Sequence, residues 1–307
     1  MGSFTRVGTE FTVNTITTGT QTAPQVTALT NGNFAVIWVD QNGDGSSFGI
    51  RAQIVDASGA KVGSEFLVNT ATSGSQVFPD VAALTGGGFV ASWGDQNREP
   101  SPNTGSYGIT GQIFSSAGAK VGADFLVNTT QPGLQNNVQL QGLPGGGFIA
   151  VWRDVSGTVD TDQGGIRARI YDSTGAALAP DFMVNTNTVN VQGNPHPIVL
   201  ASGNIVVAWD SNSGDSSGAG VKAQILDSTG AKIGSEFLVN TTEAGEQGDF
   251  EIAALPGGGF VVTWSDYSGA VEPGNVQPAS TDIAVRAQIF DKDAAKVGVE
   301  FLVNTTV

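Results

Sequence analysis

Residues 65–70 read Glu65-Phe66-Leu67-Val68-Asn69-Thr70, and the phrase Glu/Asp-Phe-x-Val-Asn-Thr returns with its aromatic at Phe11, Phe125, Phe182, Phe237 and Phe301. From Phe11 onward the successive phenylalanines lie 55, 59, 57, 55 and 64 residues apart. Ten residues after each of the first five comes a glutamine, at Gln21, Gln76, Gln135, Gln192 and Gln247. Eight further on stands a leucine, and nine beyond that a tryptophan: Trp38, Trp93, Trp152, Trp209 and Trp264, which are all the tryptophans of the chain. From the next apolar anchor (Ile50, Ile109, Ile166, Val221, Val285) to the following phenylalanine the distance is always 16. Length variation is confined to the stretch from tryptophan to anchor, with gaps of 12, 16, 14, 12 and 21. A period of this size marks a repeat architecture, in which each unit buries its faces against its neighbours.

Each repeat holds four apolar runs of strand length, in the first copy residues 25–29, 34–38, 50–55 and 65–69, here strands A to D. Glycine-rich stretches such as Thr85-Gly86-Gly87-Gly88 join A to B, and segments such as Asp56-Ala57-Ser58-Gly59 join C to D, both with the chemistry of tight hairpins. Three of the four connections are short and of fixed length, which predicts an antiparallel meander. Strand B is apolar at both alternating sets of positions, as expected where neighbouring units cover both faces. The fold expected is all-β, a five-bladed β-propeller of four-stranded antiparallel blades. It forms one domain over residues 1–307, with repeats at about 16–70, 71–129, 130–186, 187–241 and 242–305. Residues 10–15 are a sixth copy of D, expected as an extra strand that closes the ring, flanks the fifth blade or pairs with another molecule.

The chain of 307 residues carries 13 Lys and Arg against 28 Asp and Glu, a net charge of −15, with 43 Gly and no Cys. That balance repels nucleic acid and anionic membranes, which are bound through clustered cations. Without cysteine there is no disulfide, thiolate zinc site or cysteine nucleophile. No stretch approaches eighteen consecutive apolar residues, so no membrane insertion is expected.

The combination of Gly-Gly-Gly-Phe-Val-Val-Thr-Trp at 257–264, Ala-Val-Arg-Ala-Gln-Ile-Phe-Asp at 284–291 and Lys-Val-Gly-Val-Glu-Phe-Leu-Val-Asn-Thr at 296–305 resembles the repeats of large secreted bacterial proteins that often carry repeat-in-toxin segments. The resemblance implies secretion. The calcium-binding nonapeptide of those segments is not present, so calcium dependence is not carried over with it. In architecture the chain is similar to the five-bladed tachylectin type of sugar-binding propeller, which implies glycans as partners.

In a meander the D to A and B to C connections emerge on one face, and that face carries the variable loops, where binding is usually sited. It also carries Gln21, Gln76, Gln135, Gln192 and Gln247 and an aspartate after each tryptophan, at Asp40, Asp95, Asp154, Asp210 and Asp266. With the five tryptophans these are the candidate ligand-binding residues, since amides and carboxylates bond sugar hydroxyls and rings stack on their C–H faces. The competing reading places tryptophan in the packing between blades, with glutamine and aspartate bonding local backbone. Asp40, Asn42 and Asp44 alternate as calcium ligands do, but the distal bidentate glutamate is missing; no other cofactor is suggested. The function expected is multivalent carbohydrate binding, with a structural or adhesive module of a larger secreted protein as the alternative. No enzyme is expected: His196 is the lone histidine, and acids that recur evenly around a ring do not make the single asymmetric carboxylate pair that glycoside hydrolysis needs.

Overall fold

The computed structural model describes residues 8–96, 98, 107–129, 133–157, 164–216, 218–268 and 283–304; the longest of the variable loops, at 99–106, 158–163 and 269–282, lie outside them. Blade 1 comprises β1 (Gln21–Ala28), β2 (Phe34–Gln41), β3 (Phe48–Val55) and β4 (Lys61–Leu67). Blade 2 follows with β5 (Gln76–Ala83), β6 (Phe89–Asp95), β7 (Gly108–Phe114) and β8 (Lys120–Leu126). Blade 3 has β9 (Gln135–Gly142), β10 (Phe148–Asp154), β11 (Gly165–Tyr171) and the short β12 (Phe182–Met183). Blade 4 has β13 (Gln192–Val199), β14 (Ile205–Ser211), β15 (Gly220–Leu226) and β16 (Lys232–Leu238). Blade 5 has β17 (Gln247–Ala254), β18 (Phe260–Asp266), β19 (Ala284–Phe290) and β20 (Lys296–Leu302). Each blade is a meander of four antiparallel strands in sequence order, so the molecule is a five-bladed β-propeller. The first strands of successive blades lie side by side and face the axis.

The period-2 pattern of strand B gives each blade two apolar faces. Phe89, Ala91 and Trp93 of β6 pack against Ile37, Ile50, Ala52 and Ile54 of blade 1, while Val90 and Ile109 on the opposite face pack against Phe148, Ala150 and Trp152 of blade 3. The same contact joins blades 3 and 4 and blades 4 and 5. Among the described residues no such core joins blade 5 to blade 1, and the exposures mark the seam. Phe34, leading blade 1, is 36% exposed, where Phe89, Phe148, Ile205 and Phe260 are at 0%. Val303, trailing blade 5, is 50% exposed, where Val68, Val127, Val184 and Val239 are at 0%.

Residues 10–15, expected as an extra strand, belong to no sheet. They cross the outer strand of blade 1 instead. The Phe11 ring lies 2.7 Å from where a Cβ on Gly59 would stand, Lys61 Nζ donates to the Asn14 carbonyl and Thr15 Oγ1 (3.1 Å each), and the Thr15 amide donates to Glu65 Oε2 (2.6 Å). The same set ties blades together elsewhere: Phe182 lies against Gly230, Lys232 donates to Asn185 and Thr186, and the Thr186 amide donates to Glu236. Residues 10–15 therefore do what the end of strand D does for the blade that follows it.

Candidate functional site

Trp93, Trp152, Trp209 and Trp264 lie in the interblade cores at 0% to 1% exposure and offer no face to a ligand, while Trp38, at 4%, borders a cleft lined by Val13, Asn14 and Val36. Their pairing with Phe and Val two and four positions earlier on one strand face already carried that reading. The recurring glutamines are structural as well. Gln76, Gln135, Gln192 and Gln247 are buried; their Oε1 atoms accept from Asn69, Asn128, Asn185 and Asn240. The Nε2 groups of Gln21, Gln76, Gln192 and Gln247 donate to carbonyls of the D to A connections. Those of Gln21, Gln76 and Gln135 also reach Asp40, Asp95 and Asp154.

The aspartates, too, are buried, Asp40, Asp95, Asp154 and Asp266 all at 4% or less. Asp40, Asp154 and Asp266 face the guanidinium groups of Arg51, Arg167 and Arg286. Buried ion pairs and amide networks of this kind fix the register of a scaffold. The Asp40, Asn42 and Asp44 alternation does not converge. Asp40 is held by Arg51 and Gln21, and Asp44 accepts from Ser46 and Asn69. The described residues hold no group of three or more His, Asp or Glu arranged to bind a metal.

Asp210 alone departs from this pattern. It follows its tryptophan directly, whereas the other four aspartates stand two residues after theirs, and Ser211 occupies the equivalent place opposite Gln192. The one-residue offset turns Asp210 to the other face of β14, a signal present in the spacing.

A second feature has no sequence signature. In each axial strand the pairing register slips just after the glutamine, and the residue two beyond it is left-handed: Ala23 (φ 49°), Phe78 (54°), Asn137 (51°), Asn194 (48°) and Asp249 (50°). Such bulges re-aim side chains, and left-handed backbone is unfavourable for a bulky residue such as Phe. Strained positions of this kind cluster at functional sites. Two residues on, the ring reads Gln25, Asp80, Gln139, His196 and Glu251. The scaffold is five-fold, but no two blades present the same pair of residues at these two positions.

These residues line two adjoining axial depressions. One, of about 250 Å³, is bounded by Gln25, Phe78, Asn137, Gln139, Asn194 and His196. The other, of about 290 Å³, shares Asn194 and His196 and adds Asp210, Asp249, Phe250 and Glu251. Phe78 is 48% exposed and braced edge-on by Tyr107, ring centroids 6.2 Å apart. A polar relay runs from the first depression to the second: Asn137 Nδ2 donates to Asn194 Oδ1 (2.7 Å), and Asn194 Nδ2 to Asp210 Oδ2 (2.8 Å). Tyr267 Oη donates to Asp249 Oδ2 (3.1 Å), and His196 Nδ1 lies 3.5 Å from Glu251 Oε2. Burial raises the Asp210 carboxyl above its ordinary pKa and the charge of Asp249 adds to this, while the Asn194 hydrogen bond opposes it.

No family model matches the chain, and no curated protein is similar to it in sequence. Solved structures share its fold. A protein of unknown function from Dyadobacter fermentans superposes with a TM-score of 0.60 at 11% identity, over 93% of this chain and 83% of that one. An α-L-arabinanase of Penicillium chrysogenum, solved with arabinobiose, gives 0.58 at 11%, over 92% and 80%. The NanB sialidase of Streptococcus pneumoniae gives 0.59 at 9%, over 98% of this chain and 63% of the other, so the chain spans less than two thirds of that enzyme.

At such identities the likeness is one of fold. It nonetheless overturns the expectation that the chain is no enzyme, because the scaffold is one on which glycosidic bonds are cleaved. The premise of that expectation fails independently. Asp40, Asp154 and Asp266 are buried in ion pairs, whereas Asp210, Asp249 and Glu251 are gathered at one depression between blades 4 and 5.

Proposed function

We propose that the chain binds carbohydrate at one axial site. The observation that carries this reading is Phe78, an exposed aromatic held in left-handed backbone in a depression also lined by Asn137 and Asn194, whose relay continues to Asp210 in the adjoining depression. A flat ring beside oriented amides, with carboxylates in the adjoining depression, suits a sugar, which has an apolar C–H face and an edge of hydroxyls. The site is single, in place of the five equivalent ones expected from the repeats. Titrating the chain with neutral and acidic oligosaccharides, arabino-oligosaccharides among them, tests this. Phe78→Ala is expected to weaken binding at least about ten-fold, the value of a ring contact of ~1.4 kcal/mol, while the thermal midpoint changes little. No binding to any glycan, or binding indifferent to Phe78→Ala, removes the reading.

A second reading, glycosidic bond cleavage at the same place, is favoured by the pairing of Asp210, whose pKa is raised, with its neighbour Asp249. A carboxyl kept protonated by burial can act as a general acid where a second carboxylate stands near it. Asp210→Asn then abolishes turnover of an oligosaccharide, by about a hundred-fold or more, and leaves its binding in place.

A further inference from the structure

The interblade contact has two unlike halves. The donor half is the trailing face of a blade with the end of its strand D. The acceptor half is the leading face of the next blade, with a cleft over the C to D turn, an acid and, except in blade 3 where Ala177 stands, a lysine. Phe66 seats over Gly118, and Lys120 donates to the Asn69 carbonyl and Thr70. Phe125 seats over Gly175, and the Thr129 amide donates to Asp181. Phe182 seats over Gly230 beside Lys232 and Glu236; the Thr241 amide donates to Glu300, and Lys296 to the Asn240 carbonyl.

At the seam these halves do not meet among the described residues. Blade 5 presents its donor half to solvent, with Val285 at 39%, Phe301 at 41% and Val303 at 50% exposure. Ile50, Ile109, Ile166 and Val221, the counterparts of Val285, are all at 0%. Blade 1 presents an acceptor half whose seat is held by residues 11–15, with Phe11 itself 49% exposed. Phe11-Thr12-Val13-Asn14-Thr15 and Phe301-Leu302-Val303-Asn304-Thr305 follow one pattern and therefore fit one seat.

We propose that the trailing face of blade 5 docks on blade 1 of a second copy of this chain, its residues 301–304 displacing residues 11–15 from the cleft over Gly59, Lys61 and Glu65. The chemistry is that of the four internal interfaces, repeated between molecules. Because the halves are unlike, the contact is head-to-tail and propagates instead of stopping at a dimer. Residues 11–15 act as a stopper that limits it.

Sedimentation equilibrium of the full chain over a hundred-fold concentration range tests this. Phe11→Asp with Val13→Asp loosens the stopper, and is expected to raise the association constant at least ten-fold and to give species beyond dimer. Adding Phe301→Asp, at a half-exposed position, is expected to restore the monomer with an unchanged thermal midpoint. The proposal is overturned if the loosened chain stays monomeric at every concentration, or if association survives Phe301→Asp. It is equally overturned by a monomer in which labels at Lys61 and Val303 come together, since the ring would then have closed within one chain.

Discussion

At the scale of single residues, one substitution in the repeated pattern separates scaffold from site. Asp80 stands in the axial ring where other blades carry Gln25, Gln139, His196 and Glu251. It is buried against blade 3, and Oδ2 accepts the Leu140 amide at 2.6 Å. Burial pushes its carboxyl up to about 7 from 3.8, against the pull of that hydrogen bond and one from Val81. A carboxyl whose folded pKa lies above its unfolded value binds its proton more tightly in the native state. Its contribution is present in full below about pH 4 and is lost as pH rises through 7. Asp80→Asn keeps an acceptor for Leu140 and carries no charge, so thermal midpoints measured from pH 4 to 8 should fall in the parent and fall less in the variant. At pH 8 the variant should be more stable by a few kcal/mol, on the order of 1.4 per pKa unit; parallel curves would exclude the effect. The ring itself was open to view in the sequence as a position of fixed register and varying chemistry. Its aim toward the axis was not, because left-handed Ala23, Phe78 and Asn137 carry no compositional mark.

At the scale of the element, the strands and turns followed from local chemistry, and the turns also hold the interblade seats. Gly118, in the C to D turn of blade 2, has φ +83°, and a Cβ there would stand 2.6 Å from the Phe66 ring. Gly122, within β8, has φ +69° and nothing within 4 Å of such a Cβ. Both positions favour glycine by conformation, but only Gly118 is also filled by a neighbour. Gly122→Ala should lower stability by about 1 kcal/mol, the conformational part alone. Gly118→Ala should lower it by about 2–3 kcal/mol, since the ring must also move. Equal losses in urea titrations would mean that the Phe66 contact contributes nothing. Blade 5 has Ala294 (φ 62°) at the equivalent place, packed with Phe237 against the core between blades 4 and 5, so a methyl group is accommodated there. Residues 10–15 were misread as a strand for a related reason. The phrase Phe-x-Val-Asn-Thr is as much the lock of a blade onto its successor as it is a strand, and without a preceding hairpin partner only the lock forms.

For the whole molecule, the period, the strand count and the apolar two-faced strands made the propeller legible before any coordinates. The seam was not, because a repeat read in sequence says that each unit has neighbours and not whether the last meets the first. Trp152 and Trp38 occupy the same place in their blades, yet Trp152 is enclosed by two full neighbours while Trp38 borders a cleft formed with Val13, Asn14 and Val36. Trp152→Ala should therefore cost about 3–5 kcal/mol and Trp38→Ala clearly less, a contrast that denaturant titration resolves. The open seam also gives the molecule two ends. A closed circle of blades must break two contacts to free any one of them, whereas among the described residues blades 1 and 5 each have one interblade core to break. Its thermodynamics are then those of a zipper, with cooperativity transmitted from neighbour to neighbour and fraying inward from both termini. Amide hydrogens should exchange first in β1 to β4 and β17 to β20, and last in β10 and β11, so that the slowest-exchanging protons map the middle of the row.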